Sequence, residues 1–201
     1  MVTAQAALTP RADRAGAVVR ICRPDWFDPT QTWPVNRPLS DAAALTFTGE
    51  DLNFLARALY AEASGRGAVT DEAIRSREKT AILHVCYFRL LRRGYPSNAY
   101  IARSFTDVLK APGQFESVFA ANRKLDHSRA AVAEALPAAD CADLCEALAA
   151  VRQFLSEGPD YRAFPFDRFL AAAGRKGWTV IGGNEFSLFP ANAARMREVA
   201  S

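Results

Sequence analysis

An apolar stripe that ends in a carboxylate is the feature that most constrains how this 201-residue chain can fold. Leucines and one glutamate recur three or four residues apart, so on an α-helix they share one face. The row consists of Leu52, Leu55, Leu59 and Glu62. Leucines at this spacing predict a helix that packs against a core. The glutamate must then either pair with a buried partner or lie partly desolvated at a cleft.

The sequence also marks both ends of this helix. Thr48 is a typical N-cap residue, and Asp51, three residues on, is the short analogue of a capping-box glutamate. We predict that the helix starts near Gly49. It should stop at Gly65 or Gly67, because glycine most easily adopts the left-handed conformation that ends many helices.

Glu62 would then lie in the last turn, where two effects favour its neutral, proton-donating form. Desolvation at a cleft disfavours the ionised carboxylate, and so does the negative end of the helix dipole. A carboxyl group that holds its proton can serve as a general acid. The alternative is a structural carboxylate that pairs with one of the chain's arginines, or one that is solvated where the helix frays.

Composition limits the classes of protein to which the chain can belong. The length suits one globular domain with an extension, and 50% hydrophobic with 23% charged residues is ordinary for a folded protein. A net charge of +3 does not indicate a nucleic-acid partner, although it is compatible with an anionic polymer. We find no stretch that could span a bilayer and no apolar core of a signal peptide. We therefore expect synthesis in the cytoplasm and no integral membrane segment.

The four cysteines give little information on function. Cys141 and Cys145 form an i, i+4 pair on a predicted helix, where Cβ atoms lie about 5–6 Å apart, whereas a disulfide needs roughly 3.5–4.5 Å. His84 and Cys86 would lie on different faces of another helix, and only His127 remains to help bind a metal. We interpret the cysteines as small buried hydrophobic residues, and we expect no metal and no cofactor.

The remaining pattern predicts a mainly α fold with one small C-terminal β-hairpin. Residues 1–45, rich in proline and tryptophan, read as an N-terminal arm wrapped on the domain or as a partner-binding segment. Residues 46–201 read as one domain. The hairpin is indicated by two β-prone runs on either side of Gly182-Gly183-Asn184. Further helices are predicted over residues 79–93, 99–109, 128–136 and 138–157.

Three short motifs, taken in order, resemble those of the SleB-like (spore-cortex-lytic type) cell wall hydrolases. They are Leu-Tyr-Ala-Glu-Ala-Ser-Gly at 59–65, Ala-Pro-Gly-Gln-Phe at 111–115 and Val-Ile-Gly-Gly-Asn-Glu-Phe at 180–186. That family has an aromatic-x-Glu-Ala-x-Gly motif, a Pro-x-Gln-Phe motif and an Ile-Gly-Asn-His-x-Phe segment at comparable spacing. The resemblance covers roughly residues 52–189.

The resemblance implies a lysozyme-like catalytic domain over residues 46–201 that acts on the glycan strands of peptidoglycan, with Glu62 as the catalytic acid. The chain departs from the family at Glu185, where histidine is usual, and at Glu116, where serine is usual. The residues that would contact the substrate are Tyr60, Gln114, Phe115, Glu116, Asn184, Glu185 and Phe186.

Glu62 is the one carboxylate that the resemblance marks as catalytic. A single catalytic carboxylate favours a lytic transglycosylase. Glu62 would protonate the oxygen that links MurNAc to GlcNAc, then accept the proton of the C6 hydroxyl as a 1,6-anhydro ring closes. A muramidase that hydrolyses the same bond would need a second carboxylate, either Glu116 or Glu185. The same two altered positions leave open an inactive lysozyme-like module that binds glycan or a protein.

An enzyme with this substrate acts in the periplasm or cell wall, so a chain made without a signal peptide needs another route. Two routes fit: specialised secretion as an antibacterial effector with a cognate immunity protein, or phage-type release. A third reading, a helical nucleic-acid binder, rests only on arginines that are more typical of a solvated helix face. These are Arg75, Arg77, Arg89, Arg92 and Arg93.

Overall fold

The computed structural model describes residues 8–12, 18–22, 24–92, 95–97, 99–119 and 138–201. Six helices occur in these ranges. They are α1 (Gly49–Glu62), α2 (Glu72–Phe88), α3 (Phe105–Leu109), α4 (Glu116–Phe119), α5 (Ala138–Glu157) and α6 (Ala193–Ala200). Short 3₁₀ turns at Ser40–Ala42 and Pro190–Asn192 accompany them.

The described strands form four antiparallel sheets, three with two strands and one with three. β1 (Leu8–Ala12) pairs with β2 (Val18–Cys22), β3 (Thr32–Pro34) with β4 (Thr46–Thr48), and β5 (Pro96–Ser97) with β6 (Tyr100–Ile101). β7 (Arg168–Ala171), β8 (Thr179–Ile181) and β9 (Asn184–Ser187) form a sheet in the order β7-β9-β8. The fold is therefore mixed α/β, and the expectation of a mainly α fold with one small hairpin is wrong. All of the unexpected strands span five residues or fewer, too short for a clear two-residue periodicity.

The hairpin between β8 and β9 is present where the sequence predicts it. Ile181 pairs with Asn184 across a two-residue turn formed by Gly182 and Gly183, and Gly182 has a positive φ of 62°. β9 also pairs with β7, a partner that the sequence did not indicate. Pairing on both edges makes β9 the central strand of its sheet, and Phe186 in this strand is fully buried.

The core contains the predicted apolar face of α1, which packs mainly against α5. Leu52, Leu55 and Leu59 are at most 1% exposed. The described part of the N-terminal arm contributes Phe27 and Val35 to the same core. Burial of each such side chain contributes about 1.5–3 kcal/mol relative to exposure, so this face fixes the orientation of α1 and of the glutamate at its end.

The helix α1 begins where the sequence predicts, but its predicted end is wrong. Asp51 does not form a capping box with Thr48, because its carboxylate accepts the backbone N–H groups of Phe105 and Thr106. Thr48 Oγ1 accepts a hydrogen bond from the backbone N–H of Asp51 at 3.2 Å, and the helix begins at Gly49. It ends at Glu62, because Ala63 takes an extended conformation with φ −83° and ψ 157°. Gly65 therefore does not end the helix; a Cβ there would lie 2.3 Å from a carboxylate oxygen of Asp143.

The second helix is longer at its N-terminus than predicted. α2 begins at Glu72, capped by the side chain of Asp71, rather than at residue 79. Three charged residues on its buried face interrupt the apolar pattern: Arg75, Glu78 and Lys79. The predicted helix over 99–109 is reduced to α3, which follows β6 and is capped by Ser104. The helix over 138–157 is confirmed as α5, and the one predicted over 128–136 lies outside the described residues.

The cysteines differ in their chemistry. Cys141 is disulfide-bonded, so its interpretation as a plain buried thiol is wrong. Cys86 and Cys145 are in no disulfide, which agrees with the expectation that Cys141 and Cys145 do not bond to each other. Burial raises the pKa of the Cys86 thiol to about 12. Among the described residues, no helix is long and apolar enough to cross a membrane, and no histidine, cysteine and carboxylate cluster could hold a metal.

Candidate functional site

Glu62 is the last residue of α1 and is half-buried. Its carboxylate oxygen Oε1 accepts a hydrogen bond from the hydroxyl of Ser117. Ser117 lies on α4, two residues after the Gln114-Phe115 pair of the second motif, and is only 6% exposed. Glu62 forms no ion pair with any described residue, so no described arginine makes it the paired structural carboxylate that the sequence left open.

Asn184 brings the third motif to the same place. Its side-chain Nδ2 donates to the backbone carbonyl of Glu62 at 3.1 Å and to Oε1 of Glu78 at 2.9 Å. Asn184 is the first residue of β9 and is 7% exposed. One amide group therefore connects the hairpin, the end of α1 and a second glutamate on α2.

Glu78 is a fully buried carboxylate held entirely by hydrogen-bond donors. Its Oε2 accepts from the backbone N–H of Ser64 at 2.8 Å. Its Oε1 accepts from Ser64 Oγ at 3.2 Å, from Gly183 N–H at 2.9 Å and from Asn184. Charge-assisted bonds of this kind are stronger than neutral ones. We call Glu78, Ser64, Gly183 and Asn184 the hairpin clamp, because they fix the β8–β9 turn to the segment that follows Glu62.

Two consecutive glycines make the hairpin clamp sterically possible. A Cβ at Gly182 would lie 2.5 Å from the carboxyl carbon of Glu78, and one at Gly183 would lie 2.6 Å from Ser64 Oγ. Such separations are far below van der Waals contact, so no larger residue fits without movement of a hydrogen-bonded group. The glycine pair thus permits close approach as well as a tight turn.

An ion-pair network holds α2 and the loop that precedes it against α5. Arg66 Nε lies 3.0 Å from Asp143, while Arg75 and Lys79 lie 2.8 and 3.3 Å from Glu146. Burial acts to raise the pKa of Glu146, but the neighbouring Arg75 and Lys79 outweigh it and lower that pKa. Arg75 is 4% exposed, so the expectation of a solvated arginine face is wrong for this residue, whereas Arg77 is exposed as predicted.

Several residues expected to line a glycan cleft are part of the core instead. Phe115 is 1% exposed and Phe186 is fully buried. Both rings contact Phe169, at centroid distances of 5.8 and 5.7 Å. Tyr60 is 3% exposed, and burial together with a hydrogen bond to Asp140 raises the pKa of its hydroxyl. These three rings support the site from beneath and present little surface to a sugar.

Glu185 was expected on the cleft wall, but it is fully buried. It forms an ion pair with Arg175 and accepts the backbone N–H groups of Ala173 at 3.2 Å and Arg175 at 3.1 Å. Burial acts to raise the pKa of Glu185, but the bonds from Arg175 and Ala173 lower it overall. Its lone pairs are used within its own sheet, so it cannot hold a water molecule across a cleft.

The other two expected contact residues lie in or beside α4. Gln114 is half-exposed and lines a cavity of about 300 Å³. Glu116 is the first residue of α4, immediately before Ser117, and the described part of the structure does not include its side chain.

Ser117 and Glu78 are the site residues that sequence reasoning missed. The family pattern has a serine directly after Gln-Phe, and in this chain the serine comes one residue later, at Ser117. That displaced serine was a usable signal. Glu78 was missed because the predicted helix began at residue 79, although Glu78 lies four and seven residues before the buried Ile82 and Val85.

No family model matches this chain, and neither a curated protein nor a solved structure gives a significant match. The resemblance to SleB-like hydrolases therefore rests on the three motifs alone.

Proposed function

We propose that this chain is a peptidoglycan-degrading glycosidase that cleaves the MurNAc–GlcNAc β-1,4 bond as a lytic transglycosylase. One observation carries the proposal: Glu62 in the first motif is contacted by a residue of the third motif and by a residue that follows the second motif by two positions. Ser117, 55 positions away, contacts its carboxylate, and Asn184, 122 positions away, contacts its carbonyl. A glutamate positioned from two sides, at the half-exposed end of a helix, fits the role of a general acid.

The contacts of Glu62 suit a proton donor that must later act as a base. The Ser117 hydroxyl occupies Oε1, and no described residue donates to Oε2, which is left for the glycosidic oxygen. After Glu62 has protonated the leaving sugar, the resulting carboxylate keeps the bond from Ser117. It can then accept the proton of the C6 hydroxyl as the 1,6-anhydro ring closes, so one residue serves both steps.

The other carboxylates favour this one-residue mechanism over hydrolysis. A two-carboxylate glycosidase places its groups about 5–5.5 Å or about 6.5–9.5 Å apart across the bond. Glu78 and Glu185 are both fully buried and occupied by donors. Among the motif glutamates whose side chains are described, only Glu62 is open to a substrate, which supports a transglycosylase over a muramidase.

The disulfide at Cys141 supports action outside the cytoplasm. Disulfides persist in oxidising compartments such as the periplasm and are rare in the cytosol. The proposal therefore includes action in the periplasm or cell wall. Delivery would be by specialised secretion as an antibacterial effector that meets an immunity protein, or by phage-type release.

Analysis of the products released from purified peptidoglycan tests this function. We expect the wild type to release 1,6-anhydro muropeptides and Glu62→Gln to release none, because the amide cannot donate the proton. Glu50→Gln is the matched control, since Glu50 is an exposed glutamate in the first turn of the same helix. That variant should keep wild-type turnover.

Other products would change the assignment. Reducing ends in place of anhydro ends would indicate a muramidase. If the wild type shows no turnover but cosediments with peptidoglycan, the chain is an inactive binding module and the proposed activity is wrong.

A further inference from the structure

The cavity lined by Gln114 carries an unusual excess of positive charge. Among the described residues that line it, the charged ones are three arginines, at 89, 92 and 168, and one aspartate, Asp167. Its volume is about 300 Å³, at the lower end of the range for small-molecule sites. A space of this size and sign suits a small anionic group.

Arg89 is the strongest indication that the cavity binds an anion. Its side chain lies against the rings of Tyr95 and Phe115, at 5.1 and 5.6 Å, and the residue is only 7% exposed. Its Nε donates to the backbone carbonyl of Asp167 at 3.1 Å, and Nη1 to the Tyr95 hydroxyl at 3.4 Å. None of these partners is charged, and Arg89 forms no ion pair within the described ranges. Buried charges are normally paired, and no described residue supplies a counter-ion for this guanidinium.

Asp167 does not supply that counter-ion. Its two carboxylate oxygens accept the backbone N–H of Phe189 at 2.9 Å and the side-chain amide of Asn192. Arg92 approaches one of them only to 3.9 Å. Arg168 points its Nε at Ser187 Oγ, at 2.7 Å. The lining thus keeps an excess of two positive charges, which an anionic ligand would neutralise.

One short segment of chain contributes to both the cavity and the Glu62 site. Gln114 lines the cavity, the Phe115 ring lies under the Arg89 guanidinium, and Ser117, two residues further on, contacts Glu62. Residues 114–117 therefore link the cavity lining to the residue that contacts Glu62.

We propose that this arginine cavity binds a carboxylate of the glycan substrate, an inference that rests on the proposed function. A guanidinium presents a planar pair of donors that matches a carboxylate. In peptidoglycan that carboxylate has two sources, the lactyl group of a peptide-free MurNAc or the stem peptide attached to it. The cavity would make the enzyme prefer acidic over neutral glycans.

Binding assays test the cavity without depending on turnover. In a Glu62→Gln background, three tetrasaccharides are titrated by calorimetry: MurNAc–GlcNAc with free lactyl groups, the same glycan with stem peptides, and neutral GlcNAc. Arg92→Gln and Arg168→Gln alter half-exposed residues, so both variants should fold, as circular dichroism and thermal unfolding will verify. Arg77→Gln, an exposed arginine of α2, is the control.

We expect Arg92→Gln and Arg168→Gln each to weaken binding of the acidic glycan about tenfold, as for loss of a charge-assisted bond. Both variants should bind the neutral GlcNAc tetrasaccharide with unchanged affinity. The control variant Arg77→Gln should bind all three glycans with unchanged affinity. The acidic glycan whose affinity falls identifies the source of the carboxylate. Equal losses for acidic and neutral glycans, or no loss for either, would overturn the proposal.

The two proposals can fail separately. If wild-type protein releases anhydro products but Arg92→Gln and Arg168→Gln leave the KM for acidic glycan unchanged, the arginine cavity is wrong and the activity stands. If wild-type protein releases no products but acidic glycan still binds in an arginine-dependent way, the activity is wrong and the cavity stands.

Discussion

Replacing Glu78 by glutamine tests whether the hairpin clamp holds the β8–β9 turn on the end of α1. The substitution keeps the size of the side chain and removes its charge. With its carbonyl at the Oε1 position, glutamine can still accept from Ser64 Oγ, Gly183 and Asn184. Its NH₂ group would then face the backbone N–H of Ser64, which now donates at 2.8 Å.

The expected cost follows from these four bonds. Hydrogen bonds to a charged group contribute about 1.5–3 kcal/mol and neutral ones about 0.5–1.5, so each of the three retained bonds loses roughly 1 kcal/mol. The unsatisfied Ser64 N–H adds about 1–3 kcal/mol. A neutral amide costs less to desolvate than a carboxylate, which offsets part of the loss. We expect the free energy of unfolding to fall by about 3 kcal/mol, a large share of the roughly 5–15 kcal/mol of a typical domain.

Urea unfolding measures the stability, and amide hydrogen exchange locates the change. Exchange should accelerate at Ser64 and Gly183, since both amides donate to Glu78. Glu72→Gln, an exposed glutamate on the same helix, should change stability by less than about 0.5 kcal/mol. A loss below about 1 kcal/mol for Glu78→Gln, with unchanged exchange at both amides, would refute the argument.

Two further predictions concern stability. Gly182→Ala and Gly174→Ala both place alanine at positive φ, 62° and 73°, and each should cost about 1–2 kcal/mol. Only Gly182 approaches the Glu78 carboxyl group, so its variant should lose about 1–3 kcal/mol more in urea unfolding; equal losses would contradict the close-approach argument. Burial lowers the pKa of His84 to about 4. Below about pH 6.5 the unfolded state binds a proton at this histidine and the folded state does not, so the free energy of unfolding falls as the pH drops toward 4. Between pH 7.5 and 4.5 the wild type should lose about 2.5 kcal/mol more than His84→Gln; parallel losses would show that His84 titrates normally.

Local patterns predicted the elements that combine a clear period with clear ends. α1 has leucines at helical spacing and Thr48 as its cap, and the hairpin has β-prone runs around two glycines. Both elements are present as predicted, apart from the C-terminal end of α1. Asn184 in the third motif contacts the Glu62 carbonyl.

The elements that failed depend on partners far along the chain. The first half of α2 buries Arg75 and Lys79, which pair with Glu146 about 70 residues away; no local pattern reports such a partner. The same holds for β7, whose four residues form a strand because β9 lies beside them. Fold class was therefore wrong for a physical reason: short strands and charged helix faces are stabilised by tertiary contacts, which a single sequence does not display.

The helical spacing that singled out Glu62 applies equally to Glu78, and the structure shows how to distinguish the roles of the two glutamates. Each is a carboxylate that continues an apolar helical row, Glu62 after Leu59 and Glu78 before Ile82. Such a group must find donors or lie at a cleft. Glu78 has four donors and no exposed surface, which makes it an anchor that no ligand can reach. Glu62 has one donor among the described side chains and is half-exposed, so it is open to a ligand. Helical spacing thus finds carboxylates on core-facing rows, and the number of donors that reach each one distinguishes a structural anchor from a candidate acid.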